Sequence, residues 1–187
     1  MIIDQSIFRA YDIRGTHPKQ LNGKTAELIG KGFGTYLKLK NPKKSLRVVA
    51  GQDCRTHSPE LFEGFVSGLL STGCEVTNLG VTPSPYVYFA VTSGKYDGGC
   101  NITASHNSKE FNGFKLMTSN AHAVFGEQLQ EVYKIIASGR FADGKGTRQK
   151  KDFRDAYLKK IETVFHYKRG LRVVVDTGNG VAGALYP

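Results

Sequence analysis

The sequence has few cysteines, and their placement excludes two kinds of small stabilised domain. Cys54, Cys74 and Cys100 are odd in number, widely spaced and without a CxxC pair. A disulfide-linked scaffold or a zinc module would need cysteines in pairs or clusters. Scattered cysteines of this kind are typical of a reducing compartment, so we expect a cytoplasmic protein.

Long apolar runs are also missing. No stretch approaches the ~20 apolar residues that a helix needs to cross a bilayer. Residues 1–6 (Met-Ile-Ile-Asp-Gln-Ser) lack the basic start and apolar centre of a signal peptide. We therefore expect no membrane partner. The 187 residues, 40% hydrophobic and 22% charged, are typical of a globular chain with one domain and part of another, or with two small ones.

Acidic residues are scarce beside basic ones. The 16 Asp and Glu residues oppose 26 Lys and Arg residues, which gives a formal net charge of +10. The densest basic stretches, 38–47 and 145–154, are not interleaved with aromatic residues as a surface for single-stranded nucleic acid would be. No helix-turn-helix, zinc-finger or RNP-like pattern accompanies them. We predict a solvated basic surface and no nucleic-acid partner.

Apolar periodicity predicts alternating helices and strands along the chain. Helical spacing covers residues 25–39, 58–72, 83–91, 126–138 and 152–165, and short apolar strands cover 46–50, 75–79, 98–103, 114–117 and 171–175. Ser58 followed by Pro59 predicts a capped helix start. Strands separated by helices of this length predict an α/β fold, a three-layer α/β/α sandwich around a mixed, mostly parallel sheet.

The composition changes near residue 140, where glycine and polar residues become frequent. We interpret residues 1–140 as one domain, 141–150 as a linker and 151–187 as the incomplete start of a second, similar domain. One helix, one strand and a turn cannot close a second core. The sequence therefore predicts the beginning of a longer protein.

The most informative stretch is residues 101–115. An apolar run ends at Ser105 and His106, and Asn107, Asn112 and Lys115 follow. A serine on such a loop stays accessible to a bulky anion, and backbone N–H groups with His106 and Lys115 can hold phosphate oxygens. A polar turn between two strands, with Asn112 and the next glycine at the bend, explains the same residues on chemistry alone.

Four motifs decide between these readings, because they resemble the α-D-phosphohexomutases, the bacterial and archaeal phosphomannomutases and phosphoglucomutases. Residues 103–107 (Thr-Ala-Ser-His-Asn) with 112–115 (Asn-Gly-Phe-Lys) are similar to the phosphoserine loop of that family. Residues 8–15 resemble its N-terminal signature, residues 51–58 its Gly-Arg-Asp-x-Arg-x-Ser segment, and residues 173–183 its second-domain opening. The motifs stand in the family's order and cover the chain nearly end to end.

The resemblance implies a reaction and a cofactor. Family members interconvert hexose 1-phosphate and hexose 6-phosphate, here of mannose or glucose, through a bisphosphorylated sugar and a phosphoserine. Ser105 would donate and accept the phosphoryl group, and it would supply one phosphoserine oxygen to a Mg²⁺ ion. Sugar phosphates would be the small-molecule partners.

The resemblance also implies roles for residues around the serine. Lys115 would bind substrate and serve as a general acid or base, and Arg14 would neutralise phosphate at the serine and bind substrate. His106 would orient the loop or assist proton transfer, and Tyr11 would line the sugar entrance. The plain alternatives are an exposed strand-end lysine, a structural histidine and a core or boundary aromatic.

Two residues of the motif at positions 51–58 would support the serine loop. Asp53 and Arg55 would brace the loop through an ion pair and would not touch substrate. The sequence departs from the family at Gln52, where arginine is common, and at Ser108 and Lys109, which follow Asn107 where proline is usual. Neither departure changes the predicted nucleophile.

Several family loops have no counterpart in this sequence. These are the Mg²⁺-binding Asp-Gly-Asp-Gly-Asp-Arg loop, the Gly-Glu-x-Ser-Gly sugar loop and the Arg/Ser-rich loop for the distal phosphate. We therefore expect the N-terminal part of a hexose-phosphate mutase, with little turnover alone and with the missing C-terminal domains as its partners. A phosphoglucosamine mutase fragment and a non-catalytic binding or scaffold domain derived from the family are the alternatives.

Overall fold

The computed structural model describes residues 3–42, 45–166 and 170–185, and helices alternate with strands along them. Within these residues the strands are β1 (Ile13–Thr16), β2 (Arg47–Gln52), β3 (Glu75–Val81), β4 (Gly98–Ile102), β5 (Phe111–Thr118) and β6 (Arg148–Lys150). The α-helices are α1 (Gly23–Lys40), α2 (Ser58–Ser71), α3 (Ser84–Ser93), α4 (Gly126–Ser138) and α5 (Arg154–Val164). Short 3-10 turns occupy Gln5–Ile7, Ser119–Ala121 and Val181–Ala184.

The strands form one mixed sheet in the order β1-β5-β4-β2-β3-β6. β2 lies at the centre and pairs in parallel with β3 and β4, and β3 pairs in parallel with β6. Only β5 runs against the others, since it is antiparallel to both β4 and β1. The predicted mixed, mostly parallel sheet is therefore confirmed.

Helices cover both faces of the sheet, which confirms the three predicted layers. On one face α1, α2 and α4 bury a core in which Phe65 of α2 lies between Phe33 of α1 and Phe114 of β5, with ring centroids 6.3 and 5.4 Å away. α1 and α2 approach so closely that a Cβ on Gly30 would lie 2.1 Å from the Phe65 carbonyl oxygen. On the other face α3 packs on the sheet, and Tyr157 of α5 packs against it.

The start of α2 differs from the predicted cap. The helix begins at Ser58, His57 stands in the cap position, and no side chain caps the free N–H groups. The Ser58 hydroxyl instead donates to Asp53 Oδ1 at 2.5 Å and accepts from Asn112 Nδ2 at 2.9 Å. The prediction of Ser58 as the cap is therefore wrong. Its hydroxyl is bound to Asp53 and Asn112 and does not cap the helix.

The polar stretch after α4 contributes to the sheet. The Gly144 and Gly146 N–H groups donate to carbonyls at the end of α2, and residues 148–150 then pair with β3 as β6. A Cβ on Gly146 would lie 1.9 Å from the Cys74 carbonyl oxygen, so the close packing requires glycine here. Part of the segment interpreted as a linker is thus the edge strand of the first sheet. The domain boundaries themselves stay a prediction.

The predicted buried strand at residues 171–175 is wrong. These residues form no strand, and Leu171, Val173, Val174 and Val175 are all exposed. A strand needs neighbours for its N–H and C=O groups, and no strand among the described residues pairs with this segment.

None of the described helices has both the length and the apolar character to span a bilayer.

Candidate active site around Ser105

Ser105 lies on the loop that joins β4 to β5. β4 is buried along its whole length and ends at Ile102, and the chain emerges at Ser105, which is exposed. In sheets with parallel strands, ligands bind beyond the carboxyl ends of the strands. The loop therefore presents the serine hydroxyl at the end of the sheet where a ligand site is expected.

The backbone of Ser105 is left-handed, with φ of 56°. This conformation costs a residue with a Cβ about 1–2 kcal/mol, so the surroundings must hold it. The Ser105 N–H donates to Thr103 Oγ1 at 3.0 Å. The carbonyl before Ser105, that of Ala104, accepts from Arg14 Nη1 at 2.8 Å, and the Ser105 carbonyl accepts from Arg55 Nη2 at 3.3 Å. Both peptide groups that define the conformation of Ser105 are thus bound.

The neighbouring histidine is in contact with the serine hydroxyl. His106 Nδ1 lies 3.2 Å from Ser105 Oγ, and both side chains are exposed. An imidazole nitrogen at this distance can accept the hydroxyl proton or return it. The backbone N–H groups of His106, Ser108 and Lys109 have no protein acceptor within the described ranges, so they are available to an anion on this loop.

Arg14 lies beneath the loop. It is 8% exposed, and its guanidinium donates to Asn107 Oδ1 at 2.6 Å as well as to the Ala104 carbonyl. The same side chain forms an ion pair with Asp12. The structure therefore brings Arg14 to the predicted loop, where its Nη groups are already engaged in binding the loop and Asp12. Its contact with a phosphate stays a prediction.

Lys115 joins this group from β5. Its Nζ lies 3.5 Å from Asp12 Oδ2, so Asp12 stands between the two cations Lys115 and Arg14. Sequence reasoning missed Asp12, although a signal was present. Asp12 and Arg14 are two positions apart where the chain enters β1, and such residues project to the same side of an extended chain.

Tyr11 precedes this pair and is 80% exposed. Such exposure rules out the core alternative that a single aromatic in this motif allows. Its ring is free to contact a ligand, and its role at a sugar entrance stays a prediction. The Ala10 carbonyl beside it accepts from the Gly126 N–H at 2.9 Å, which ties the segment to the start of α4.

Arg55 binds the opposite side of the loop. The predicted ion pair is present, with Arg55 Nε 3.2 Å from Asp53 Oδ2. The guanidinium also donates to the carbonyls of Asn107 at 2.5 Å, Ser108 at 2.7 Å and Phe111 at 3.1 Å. These bonds come in addition to the one at the Ser105 carbonyl.

A histidine that sequence reasoning did not single out also holds the loop. His57 Nε2 is 3.0 Å from the Lys109 carbonyl oxygen, and Asn112 Nδ2 donates to His57 Nδ1 at 2.9 Å. Nδ1 thus accepts from Asn112, and Nε2 faces the Lys109 carbonyl as a donor. The ring stacks on His17 with centroids 4.6 Å apart, and His17 Nε2 lies 3.0 Å from Glu60 Oε2.

An open cleft of about 770 Å³ adjoins one side of the loop. Ser105, His106, Asn107 and Lys109 form one wall, and the other wall consists of residues 53–56, 82–84, 101, 103 and 179–181. The volume lies in the range of small-molecule sites. The structure brings Ser105 and His106 into this cleft, whereas Arg14, Lys115 and Tyr11 do not line it.

The donor set around the loop bears on the implied Mg²⁺ ion. Mg²⁺ prefers several oxygen ligands in octahedral geometry. No group of three or more potential His, Cys, Asp or Glu ligands occurs in the described part of the chain. The two carboxylates bound near the loop already have cationic partners, Arg14 and Lys115 for Asp12 and Arg55 for Asp53.

Comparisons with known proteins agree on one family. A sequence model described as phosphoglucomutase/phosphomannomutase, alpha/beta/alpha domain I, matches residues 5–143. A phosphomannomutase/phosphoglucomutase of Pseudomonas syringae pv. tomato is 37% identical over 188 residues, covering 100% of this chain and 39% of that protein. A probable phosphoglucosamine mutase of Thermococcus gammatolerans is 38% identical over 184 residues, covering 96% of this chain and 40% of that protein.

The solved structures give the same result. A phosphoglucomutase/phosphomannomutase family protein from Burkholderia thailandensis superimposes with a TM-score of 0.91 at 38% identity, covering 99% of this chain and 41% of that one. The chain thus spans 39–41% of the length of these relatives. The residues matched by the family model include Tyr11, Arg14, Ser105, His106 and Lys115. This chain belongs to the phosphoglucomutase/phosphomannomutase family and contains its α/β/α domain I.

Proposed function

We propose that this chain is the phosphoserine-bearing part of a hexose-phosphate mutase, which interconverts the 1-phosphate and 6-phosphate of glucose or mannose. The observation that carries the proposal is the exposed hydroxyl of Ser105 on the loop after β4. The backbone of this residue is kept left-handed by hydrogen bonds, and His106 Nδ1 lies 3.2 Å from Ser105 Oγ. A costly backbone conformation that surrounding bonds maintain is typical of functional sites.

The proposed chemistry begins with phosphate on Ser105. The bond from phosphorus to Ser105 Oγ breaks, and a bond from phosphorus to the free hydroxyl oxygen of the hexose phosphate forms. The sugar hydroxyl gives up its proton, and Ser105 Oγ takes one. The bisphosphorylated sugar then reverses its orientation and returns its other phosphoryl group to Ser105 Oγ.

His106 and Lys115 are the groups that we assign to proton movement in these steps. His106 Nδ1, 3.2 Å from Ser105 Oγ, would supply or accept the proton there. Lys115, which neighbours Asp12 on the other side of the loop, would act on the sugar hydroxyl and bind phosphate together with Arg14. Free backbone N–H groups on the loop would stabilise charge on the transferred phosphoryl group.

Magnesium enters the proposal through one ligand of this chain. Phosphoserine oxygens are hard donors of the kind that Mg²⁺ binds, and the metal would neutralise phosphoryl charge. Ser105, once phosphorylated, would supply one such oxygen. The described part of the chain contains no group of three or more His, Cys, Asp or Glu side chains that could supply the other ligands.

A second candidate substrate is glucosamine phosphate. The observation in its favour is the 38% identity to the probable phosphoglucosamine mutase of Thermococcus gammatolerans, beside 37% for the phosphomannomutase/phosphoglucomutase of Pseudomonas syringae pv. tomato. The wording of residues 9–14 (Arg-Ala-Tyr-Asp-Ile-Arg) resembles the mannose/glucose branch, and we propose that branch first.

Two assays test the function. The 187-residue chain alone should turn over glucose 1-phosphate with Mg²⁺ far more slowly than a complete family enzyme, because its sequence contains the serine loop and has no counterpart of the family's metal, sugar and distal phosphate loops. A fusion of this chain to the remaining part of the Burkholderia thailandensis relative should restore turnover, and Ser105→Ala in that fusion should abolish it. A folded fusion in which Ser105→Ala leaves turnover unchanged would show that this serine is not the phosphoryl carrier.

A further inference from the structure

Arg55 is attached to the serine loop more extensively than an ion pair with Asp53 requires. Its guanidinium donates to the carbonyls of Ser105, Asn107, Ser108 and Phe111, at 3.3, 2.5, 2.7 and 3.1 Å. Four acceptors from one seven-residue loop meet one planar cation. Hydrogen bonds from a charged donor are stronger than neutral ones, so this contact is the main attachment of the loop on that side.

The loop has nothing in its covalent structure that would stiffen it. Residues 103–110 contain no proline, and Ser108 and Lys109 at its tip are both exposed. Two loop amides are hydrogen-bonded within the loop, Asn107 N to the Ala104 carbonyl and Phe111 N to the Ser108 carbonyl. Both bonds end on carbonyls that an arginine also binds, Ala104 with Arg14 and Ser108 with Arg55. The loop's internal bonds therefore depend on the two arginines.

The two arginines hold opposite sides of Ser105. Arg14 binds the peptide group before the serine and Arg55 binds the peptide group after it. The orientations of these two groups define φ and ψ of Ser105, and thus the direction of its hydroxyl. With φ at 56°, the residue would relax to a commoner conformation if either group were released.

We propose that Arg55 is a positioning residue: with Arg14 it holds Ser105 in the left-handed conformation that aims Oγ for phosphoryl transfer. The aiming role rests on the proposed function, whereas the holding of the loop does not. Arg55 acts through the backbone, and no contact with substrate is assigned to it. Lysine cannot replace it, because a compact ammonium group cannot reach four carbonyls at once.

The chain offers a matched control in Arg47, the first residue of β2, whereas Arg55 follows the end of that strand. Arg47 also uses its guanidinium to bind two backbone carbonyls, Gly94 at 3.1 Å and Lys95 at 2.7 Å, far from the serine loop. Arg47→Met and Arg55→Met therefore remove the same kind of bond, one at the start of β2 and one after its end. Arg55→Lys keeps the charge and removes the multidentate contact.

Hydrogen exchange of the whole 187-residue chain tests the holding of the loop. We expect Arg55→Met and Arg55→Lys to accelerate exchange at the amide of Phe111 by about tenfold or more, because the Ser108 carbonyl that accepts from this amide is held by Arg55. Exchange in β2 and β4 should be unchanged in both variants, which confirms that they fold. Arg47→Met should leave loop exchange at the wild-type rate. Unchanged loop exchange in a folded Arg55→Met variant overturns the proposal.

Phosphate uptake tests the aiming of the hydroxyl. The fusion of this chain to the remaining part of the Burkholderia thailandensis relative is incubated with glucose 1,6-bisphosphate and Mg²⁺, and phosphate on Ser105 is followed by mass spectrometry. A displaced hydroxyl should slow uptake by about 10²-fold in Arg55→Met, and added guanidinium ion should restore part of the rate. If the wild type and Arg55→Met take up phosphate at the same rate, the positioning role is overturned. Absence of uptake by the wild type contradicts the proposed function instead, and loop exchange then still decides whether Arg55 holds the loop.

Discussion

Two segments of this chain have almost the same sequence and opposite environments. Residues 46–50 read Leu-Arg-Val-Val-Ala and residues 171–175 read Leu-Arg-Val-Val-Val. In the first segment Leu46, Val48 and Val49 are 0% exposed, whereas in the second Val173 is 70% and Val174 98% exposed. The first contains the start of central strand β2, and the second forms no strand.

The difference lies in the neighbours of the two segments. β2 has parallel partners on both sides, so its backbone groups are paired and its valines face helices on both faces of the sheet. Residues 171–175 have no paired strand within the described ranges. An apolar, β-branched run is therefore compatible with a strand, and it becomes one only where other strands satisfy its N–H and C=O groups.

The sharpest test of this contrast places the same charge in both segments. Val49→Asp should lower the free energy of unfolding by about 4 kcal/mol or more, because it buries an unpaired carboxylate. Val174→Asp should change it by about 0.5 kcal/mol or less, since that side chain is exposed. Urea denaturation followed by circular dichroism measures both values.

A milder pair serves if Val49→Asp does not fold. Val49→Ala should cost about 2 kcal/mol through lost burial and a residual cavity, and Val174→Ala should be close to neutral. Equal costs at the two positions would show that residues 171–175 are buried in solution, and the contrast between the segments would be lost.

The next effect concerns residues 152 and 153, where the chain leaves β6 and continues toward residues 171–175. Tyr86 of α3 donates to Asp152 Oδ1 at 2.6 Å and accepts from the Phe153 N–H at 2.5 Å. Tyr86→Phe should cost about 1–3 kcal/mol, because it leaves a buried N–H without its acceptor. Tyr88→Phe on the same helix, where the ring is partly exposed, should cost about 0.5 kcal/mol or less. Thermal unfolding of the two variants gives the comparison, and equal shifts would mean that Tyr86 does not anchor residues 152 and 153.

A smaller effect tests whether the serine loop is held as firmly as the sheet. Ser105→Gly and Ser105→Ala both remove the hydroxyl, and only alanine keeps the Cβ that disfavours φ of 56°. Ser105→Gly should therefore be more stable than Ser105→Ala by about 1 kcal/mol. If alanine proved as stable as glycine in chemical denaturation, Ser105 would not be held in the left-handed region.

The smallest effect is a pH dependence at the junction of α1 and α2. The pKa of Glu60 is lowered, first by the hydrogen bond from the Gly23 N–H and then by the bond to His17. A lowered pKa contributes stability above the ordinary value of 4.5 and loses it as the pH falls through the folded value.

Glu60→Gln should accordingly be slightly less stable than wild type at neutral pH, by well under about 1 kcal/mol because the carboxylate is half-exposed. The difference should vanish in acid. Denaturation of both proteins at neutral pH and near pH 3 decides the sign, and a difference that grows in acid would contradict the assignment.

Much of the fold was predictable because its signals are local. The apolar stripes of α1, α2 and α4 and the buried run of β4 predict their elements within a few residues. β6 was not predictable, since its Arg-Gln-Lys sequence is polar and only the packing of Gly144 and Gly146 brings it to the sheet edge. The same reliance on neighbours explains why residues 171–175 misled the prediction.

The site shows the same division. Ser105 and His106 are adjacent in the sequence, so their contact was predictable. The contacts of Asp12 with Lys115, and of His57 with Lys109, join parts of the chain that only the fold brings together. The four carbonyls bound by Arg55 were beyond sequence reasoning for another reason: backbone acceptors leave no trace in the residue types.

The central claim is that Ser105 is the phosphoryl carrier, and the most direct measurement locates the phosphate. The fusion of this chain to the remaining part of the Burkholderia thailandensis relative is incubated with glucose 1,6-bisphosphate and Mg²⁺, and tandem mass spectrometry then maps the modified residue, with Ser105→Ala and Ser108→Ala as matched variants. We expect one phosphoryl group on Ser105 in the wild type and in Ser108→Ala, and none in Ser105→Ala. Phosphate on Ser108, or uptake that persists in Ser105→Ala, would contradict the claim.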